Sequence, residues 1–334
     1  MECLSRHDDF VRNFLFGNAV IHQDDGGLRT SFCMDMRMEG WVGIPHGGVG
    51  MAAITELAMM LGNSPQDTAS LYPLALDFRM GGASVRVGDM LDVKISPDSG
   101  GAKGVITVGQ NVLPYISASV SYCKSDNSRG ELLKGYIPES YFDISNALLQ
   151  LPYYKNCFVC GDSRIYPGLR RRFYYLDDGH LKKVIVSHAG FHDWDHQTFY
   201  LFQRNNVMHP IALLALIDET MGWAGFMASA CAGVTVRIGY KFYRDVHVDE
   251  PIVVFGRGEK VRGNVHTRLL YWSSGGAAVI GNGGKLEIIA EASGQWFGVP
   301  ELTEQMKVEL MTKELTERAF RLAAISSSAF KPSN

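Results

Sequence analysis

Charge of one sign is what this sequence has least of. Its 32 Lys and Arg against 35 Asp and Glu leave a formal net charge of -3 over 334 residues. The one dense basic stretch is Arg170-Arg171-Arg172, which reads as a solvated strand face or loop. A nucleic-acid partner is therefore not expected, and no good helix-turn-helix segment is present either. No run approaches the roughly 20 apolar residues needed to span a bilayer, so no membrane partner is expected. The N-terminus, MECLSRHDDF, carries acids where a signal peptide has its apolar stretch. A cytoplasmic protein is the expectation. Cysteine is sparse: Cys3, Cys33, Cys123, Cys157, Cys160 and Cys231 are scattered along the chain. Such spacing points to free thiols, not a disulfide framework.

What is present is enough apolar material for two cores. Hydrophobic residues make up 46% and charged residues 20%, as in a soluble globular protein of two ordinary domains. The chain also repeats itself. GIPHGGVGMAAITELAMMLG (Gly43 to Gly62) and NVMHPIALLALIDETMGWAG (Asn206 to Gly225) each begin with a His in a short loop and run into an Ala/Leu/Met-rich stretch. In both, a Glu lies ten residues after the His: His46 to Glu56, and His209 to Glu219. Both stretches are apolar nearly all round, which predicts buried helices.

The text after each helix repeats too. Leu71 to Ile95 and Val234 to Gly258 each read as a strand, a turn with an acid (Asp89; Asp249-Glu250) and a second strand. Further strands are expected at Gly104–Val112 and Tyr115–Cys123 in the first half. In the second they are expected at Val265–Trp272 and Lys285–Phe297, with a short one between at Ala277–Ile280. One long helix wrapped by antiparallel strands in each half is an α+β arrangement. The expected division is 1–130, 131–300 and a C-terminal segment 301–334. The boundary falls in or just after Lys124–Leu133, and Glu301–Ala324 reads as one amphipathic helix.

These residues resemble the hotdog-fold thioesterases, such as the phenylacetic-acid-pathway and 4-hydroxybenzoyl-CoA thioesterases. GIPHGGVGMAAITELA resembles their helix start, ALLALIDETMGWAG their central helix, and NCFVCGDSRIYPGLRRRFYY (Asn156 to Tyr175) an opening found in some of them. The resemblance covers most of the chain. It implies two fused hotdog domains and a substrate of acyl-CoA or acyl-carrier type, with coenzyme A as part of the substrate and no separate cofactor. CFVCG also has other readings. A CxxC can hold zinc, but zinc needs about four ligands, usually including a second pair, and none lies nearby in the sequence. The thioredoxin-like context of a redox CxxC is absent. A structural loop and no metal are expected. The cluster His188, His192, Asp193, Asp195 and His196 fits no helix-based ligand pair and reads as an exposed loop.

Thioester hydrolysis needs a group that stabilises the developing oxyanion and a group that activates water or attacks. A helix N-terminus presents unpaired N–H groups and a positive dipole end, and glycine there permits close approach. Gly47 and Gly48 after His46 suit this role. The resemblance places the acid nine residues after the His, which here is Thr55 in the first half and Asp218 in the second. The second half has Pro210 and Ile211 where the first has its glycines, and Pro210 has no N–H. Nine helical residues rise roughly 13 Å, so the acid cannot serve a carbonyl held at its own helix start; the resemblance implies that it serves one held at the start of a neighbouring antiparallel helix. One intact site per chain is then expected: Gly47 and Gly48 with Asp218 as base or nucleophile, and His46 shaping the loop or contacting the substrate. The opposite junction, with Pro210, Ile211 and Thr55, reads as degenerate.

Glu219 and Glu56 are second choices for the acid, about 100° away on their helices. Trp223 and Phe226 read as core more than acyl-pocket lining. Coenzyme A phosphates require positive charge, and Arg79, Arg237, Lys241 and Arg244 lie on or beside strands. The competing readings are a non-catalytic acyl-CoA binder and a hotdog dehydratase or hydratase, whose Asp…His pattern is not seen. The fused pair is an internal pseudo-dimer that either stays a monomer or associates further.

Overall fold

The computed structural model of the chain describes residues 2–3, 9–62, 72–109, 113–122, 141, 143–177, 183–189, 196–280 and 286–328. Two helices dominate it. They are α2, Gly47–Gly62, and α3, Pro210–Ser229, preceded by a short α1, Phe10–Phe16. Alternating strands wrap α2: β1 (Gly27–Cys33) before it and β2 (Leu74–Met80), β3 (Met90–Asp98), β4 (Gly101–Val108) and β5 (Pro114–Tyr122) after it. The second half repeats this with β6 (Lys183–Ala189) before α3 and β7 (Gly233–Phe242), β8 (Ile252–Arg262), β9 (Leu270–Ile280) and β10 (Leu286–Gly298) after it.

The strands form one sheet in which the first half runs β1-β3-β4-β5-β2 and the second continues β7-β10-β9-β8-β6. Read outward from the β2–β7 seam, the two orders match strand for strand. The seam is antiparallel, with Arg237 opposite Arg79 and Phe242 opposite Leu74. Each half is therefore a central helix wrapped by antiparallel strands, the hotdog arrangement, and the α+β class expected from the repeat is the one observed.

The core explains why both helices lack a polar face. Ile54, Leu57, Leu214 and Ile217 are fully buried in one apolar cluster that spans both halves. Helix α3 has the length and apolar composition of a membrane span, yet 89% of that stretch is buried inside the fold. The sequence does therefore hold such a run, and the sheet is what covers it.

Three local expectations change. The segment read as two strands at Val265–Trp272 and Ala277–Ile280 is the single β9, which pairs along its length with β8 and β10. The C-terminal segment is two helices, α4 (Pro300–Glu309) and α5 (Lys313–Ser327), because Leu310–Met311 leaves the helix to pair with Tyr153–Tyr154. The three arginines are not a solvated stretch. Arg171 is buried over the Phe199 ring, and Arg172 pairs with Asp162 and lies over Tyr153. Residues 123–140, where the boundary was expected, and 190–195, with most of the His/Asp cluster, lie outside the described residues. His188 is described, with Nε2 2.8 Å from the carbonyl of Tyr141.

Candidate active site

Helices α2 and α3 cross antiparallel, and Gly48 sits at the crossing. A Cβ built there would lie 2.5 Å from the Cα of Ala215, so only glycine lets the backbones approach this closely. We expect Gly48→Ala to cost about 1–3 kcal/mol through overpacking, read as a lowered urea midpoint with an unchanged slope.

The crossing creates two related junctions, because each helix start faces the middle of the other helix. In both, a histidine closes its own helix start and reaches the other helix. His46 Nδ1 accepts from the Gly48 N–H at 3.0 Å, and its Nε2 lies 3.3 Å from Glu219 Oε2. His209 Nδ1 accepts from the Ile211 N–H at 3.2 Å, and its Nε2 lies 2.8 Å from Glu56 Oε2. With Nδ1 accepting, the ring proton sits on Nε2 and is donated to the glutamate. The ten-residue His-to-Glu spacing is the local trace of this exchange: each His meets the other half's Glu.

The junctions differ in everything else. Glu56 also accepts from Arg12 Nε at 2.6 Å and Arg204 Nη2 at 3.1 Å. Burial pushes its pKa up, but the hydrogen bond and charge of His209, then Arg204 and Arg12, outweigh that and hold it at about 2. Thr55 is buried, its hydroxyl donated to the carbonyl of Met51. This junction is a closed ion-pair network.

The other junction opens on a cavity of about 200 Å³. Its polar wall is His46, Asp218, Glu219, Thr235, Cys157 and Cys160. The rest is apolar, with Trp41, Tyr154, Trp223, Phe226, Tyr271 and Trp296 among the lining. Leu302 and Met306 of α4 and Leu310 close one side. Trp223 and Phe226 are thus both core and cavity wall.

Asp218 is 8% exposed, and its Oδ1 accepts from Thr235 Oγ1 at 3.0 Å. Burial raises its pKa; the charge of His46 and the Thr235 hydrogen bond oppose the rise, and Glu219 adds to it. A Cβ built on Gly47 would lie 3.4 Å from Asp218 Oδ2, so the first residue of α2 meets the acid of α3 directly. The Gly48 N–H, expected to face a substrate, is instead used by His46. The Gly47 N–H makes no hydrogen bond among the described residues.

Two groups at this junction were not expected from the sequence. Thr235 starts β7 and gave no signal beyond its place in a strand. The CFVCG loop gave one, but its destination could not be read. Phe158 N–H donates to the carbonyl of Glu39, which ties the loop to the first half. Cys157 Sγ accepts from the N–H groups of Val159 and Cys160 at 3.3 and 3.5 Å and lies 3.1 Å from Glu219 Oε2. Burial pushes the Cys160 thiol well up, and the neighbouring Cys157 and Glu219 push the same way. Cys33, Cys157, Cys160 and Cys231 are free thiols.

None of the four basic candidates for coenzyme A lines this cavity. Arg79 and Arg237 are register partners on the exposed face of the sheet. Lys241 lies 5.5 Å over the Tyr243 ring. Arg244 pairs with Glu250 and Glu287, at 2.8 and 3.1 Å.

No protein-family model and no curated protein matches the chain. Solved structures do. Over 85% of this chain and 99% of the other, the fold is similar to that of a thioesterase candidate from Novosphingobium aromaticivorans, at 10% identity and a TM-score of 0.52. Over 87% and 98% it is similar to the tesB protein of Mycobacterium avium subs paratuberculosis, at 11% identity and a TM-score of 0.51. At these identities the likeness is one of fold.

Proposed function

We propose that the chain hydrolyses an acyl thioester, of acyl-CoA or acyl-carrier type, at the one junction where Gly47 meets Asp218. The observation that carries this reading is the asymmetry. One junction joins an unpaired helix-start N–H, a buried carboxylate and an apolar cavity, and its mate is sealed by arginines.

The chemistry follows from these parts. Asp218 takes a proton from a water molecule, and the oxygen adds to the thioester carbonyl. The oxyanion forms beside the Gly47 N–H at the positive end of α2. Collapse breaks the carbon–sulfur bond, and the leaving sulfur takes the proton from Asp218. The products are a carboxylic acid and a free thiol. A buried carboxylate with a raised pKa is a stronger base than an exposed one, which suits general-base work near neutral pH. The aromatic wall receives the acyl group.

The direct test is release of free thiol from short, long and aromatic acyl-CoAs. Turnover of any class supports hydrolysis and names the acyl group. Tight binding with no turnover on the whole panel replaces this reading with an acyl-CoA-binding protein. Thr235 gives a finer check. Its hydrogen bond favours the ionised Asp218, so Thr235→Val raises the Asp218 pKa further. The acid limb of the kcat profile then moves to higher pH.

A further inference from the structure

We propose that Cys157, Cys160 and Glu219 bind one divalent cation of the zinc class at the open junction, with His46 orienting the carboxylate. The starting point is a comparison of the two related glutamates. Glu56 is neutralised by two guanidinium groups and hydrogen-bonded by a histidine. Glu219 occupies the equivalent place on α3, with its side chain 13% exposed. Among the described residues no lysine or arginine pairs with it; its partners are His46 and the Cys157 thiol of the CFVCG loop. Where one junction presents arginines to a buried carboxylate, the other presents sulfur.

The convergence is tight. Ligand-capable atoms of His46, Cys157 and Glu219 all lie within 4.8 Å of one another. Cys160, three residues on in the same loop, lines the same cavity, and its N–H donates to Cys157 Sγ at 3.5 Å. The loop is shaped for a thiolate as well as a thiol, since two backbone N–H groups already point at Cys157 Sγ. A thiolate pair with one carboxylate selects zinc-like ions over magnesium or calcium, which prefer all-oxygen sites.

His46 is the orienting group and not a ligand. Its Nδ1 is taken by the Gly48 N–H, so Nε2 carries the proton and has no lone pair for a metal. Donating to Glu219, it fixes the carboxylate from outside the coordination sphere, as such partners commonly do. Three protein ligands leave one tetrahedral position unfilled by the chain, and all three line the cavity. The missing second ligand pair of the CxxC is thus supplied in part by a residue 59 positions further along, Glu219 after Cys160.

The test is cobalt titration of the full chain, purified reduced and free of metal. We expect one cobalt per chain, with thiolate-to-cobalt charge-transfer absorption and the intense visible bands of tetrahedral cobalt, and stoichiometric displacement by zinc. Cys157→Ser and Cys160→Ser each reduce the charge-transfer band. His46→Gln keeps the band and weakens binding by about 10–100-fold. A wild-type chain whose two thiols titrate with a thiol reagent but give no cobalt–thiolate band overturns the proposal. So does failure of zinc to displace the cobalt, or an unchanged band in both serine variants. The wild-type spectrum decides even where a variant fails to fold. None of these readouts needs turnover, so the result stands apart from the thioesterase reading.

Discussion

Asp218→Asn removes thioester turnover and leaves the fold standing. General-base assistance contributes about 10²–10⁴-fold, and the loss is expected in kcat more than in KM, because the proton is taken only as the carbonyl is attacked. The substitution keeps the shape of the side chain, and its Oδ1 can still accept from Thr235 Oγ1. It also removes a carboxylate whose pKa is raised first of all by burial. The variant should therefore melt at or above the wild-type temperature, since a desolvated charge is no longer maintained. Lost activity with retained or increased stability is the signature of a base held at a thermodynamic cost. Unchanged turnover in this variant rejects Asp218 and moves the role to Glu219, the other carboxylate on the cavity wall.

Glu56→Gln has the opposite signature: a large loss of stability with kcat per folded molecule unchanged. The carboxylate is fully buried and holds Arg12, Arg204 and His209. Removing it leaves two guanidinium groups and a buried histidine facing a neutral amide, with Asp9 as the one acid among the described residues still paired to the arginines, a change that costs about 3 kcal/mol. Chemical denaturation measures it. The pH dependence gives a second reading. The folded pKa of about 2 lies below the ordinary 4.5, so the contribution is complete above about pH 4.5. It fades as pH falls toward 2, and amounts to about 3 kcal/mol when integrated. Wild type should lose stability across that window and Glu56→Gln should lose much less. Equal acid sensitivity in both would show that other carboxylates set it.

The two variants separate the junctions. They share one repeated pattern, but in the proposed reading Asp218 serves chemistry, whereas Glu56 holds helices together through Arg12, Arg204 and His209. The difference lies in neighbours. Arg12 comes from α1 and Arg204 from the loop before α3, and neither belongs to the repeated segments. Likewise Cys157 and Cys160 come from the loop opening the second half. The repeat supplied the frame, and unrepeated residues decided what each junction does.

Much of this was legible in one dimension. The helices α2 and α3 announce themselves by apolar residues on every face, the strands by alternation, and the tandem arrangement by two passages 163 residues apart, His46 to His209. The rise of a helix also shows that an acid nine residues down cannot serve its own N-terminus; that it meets the start of the other helix is implied by the resemblance. These are properties of local periodicity and length, and each is written within some twenty consecutive residues.

What only the tertiary structure decided are contacts between residues far apart in the chain. No pattern in HGG tells that His46 takes the Gly48 N–H, or that Gly48 is required by Ala215, 167 positions away. Nor does the spacing of CFVCG reveal that Cys157 meets Glu219 of α3 beside His46, the residue before α2. Arg79 and Arg237 are phosphate candidates by charge alone in the sequence, and the strand alternation of the seam places both on the outer face, as register partners. Periodicity specifies which face of an element is buried. It does not specify what that face meets, because that depends on how separate elements pack, and a side chain's chemistry is set by what it meets.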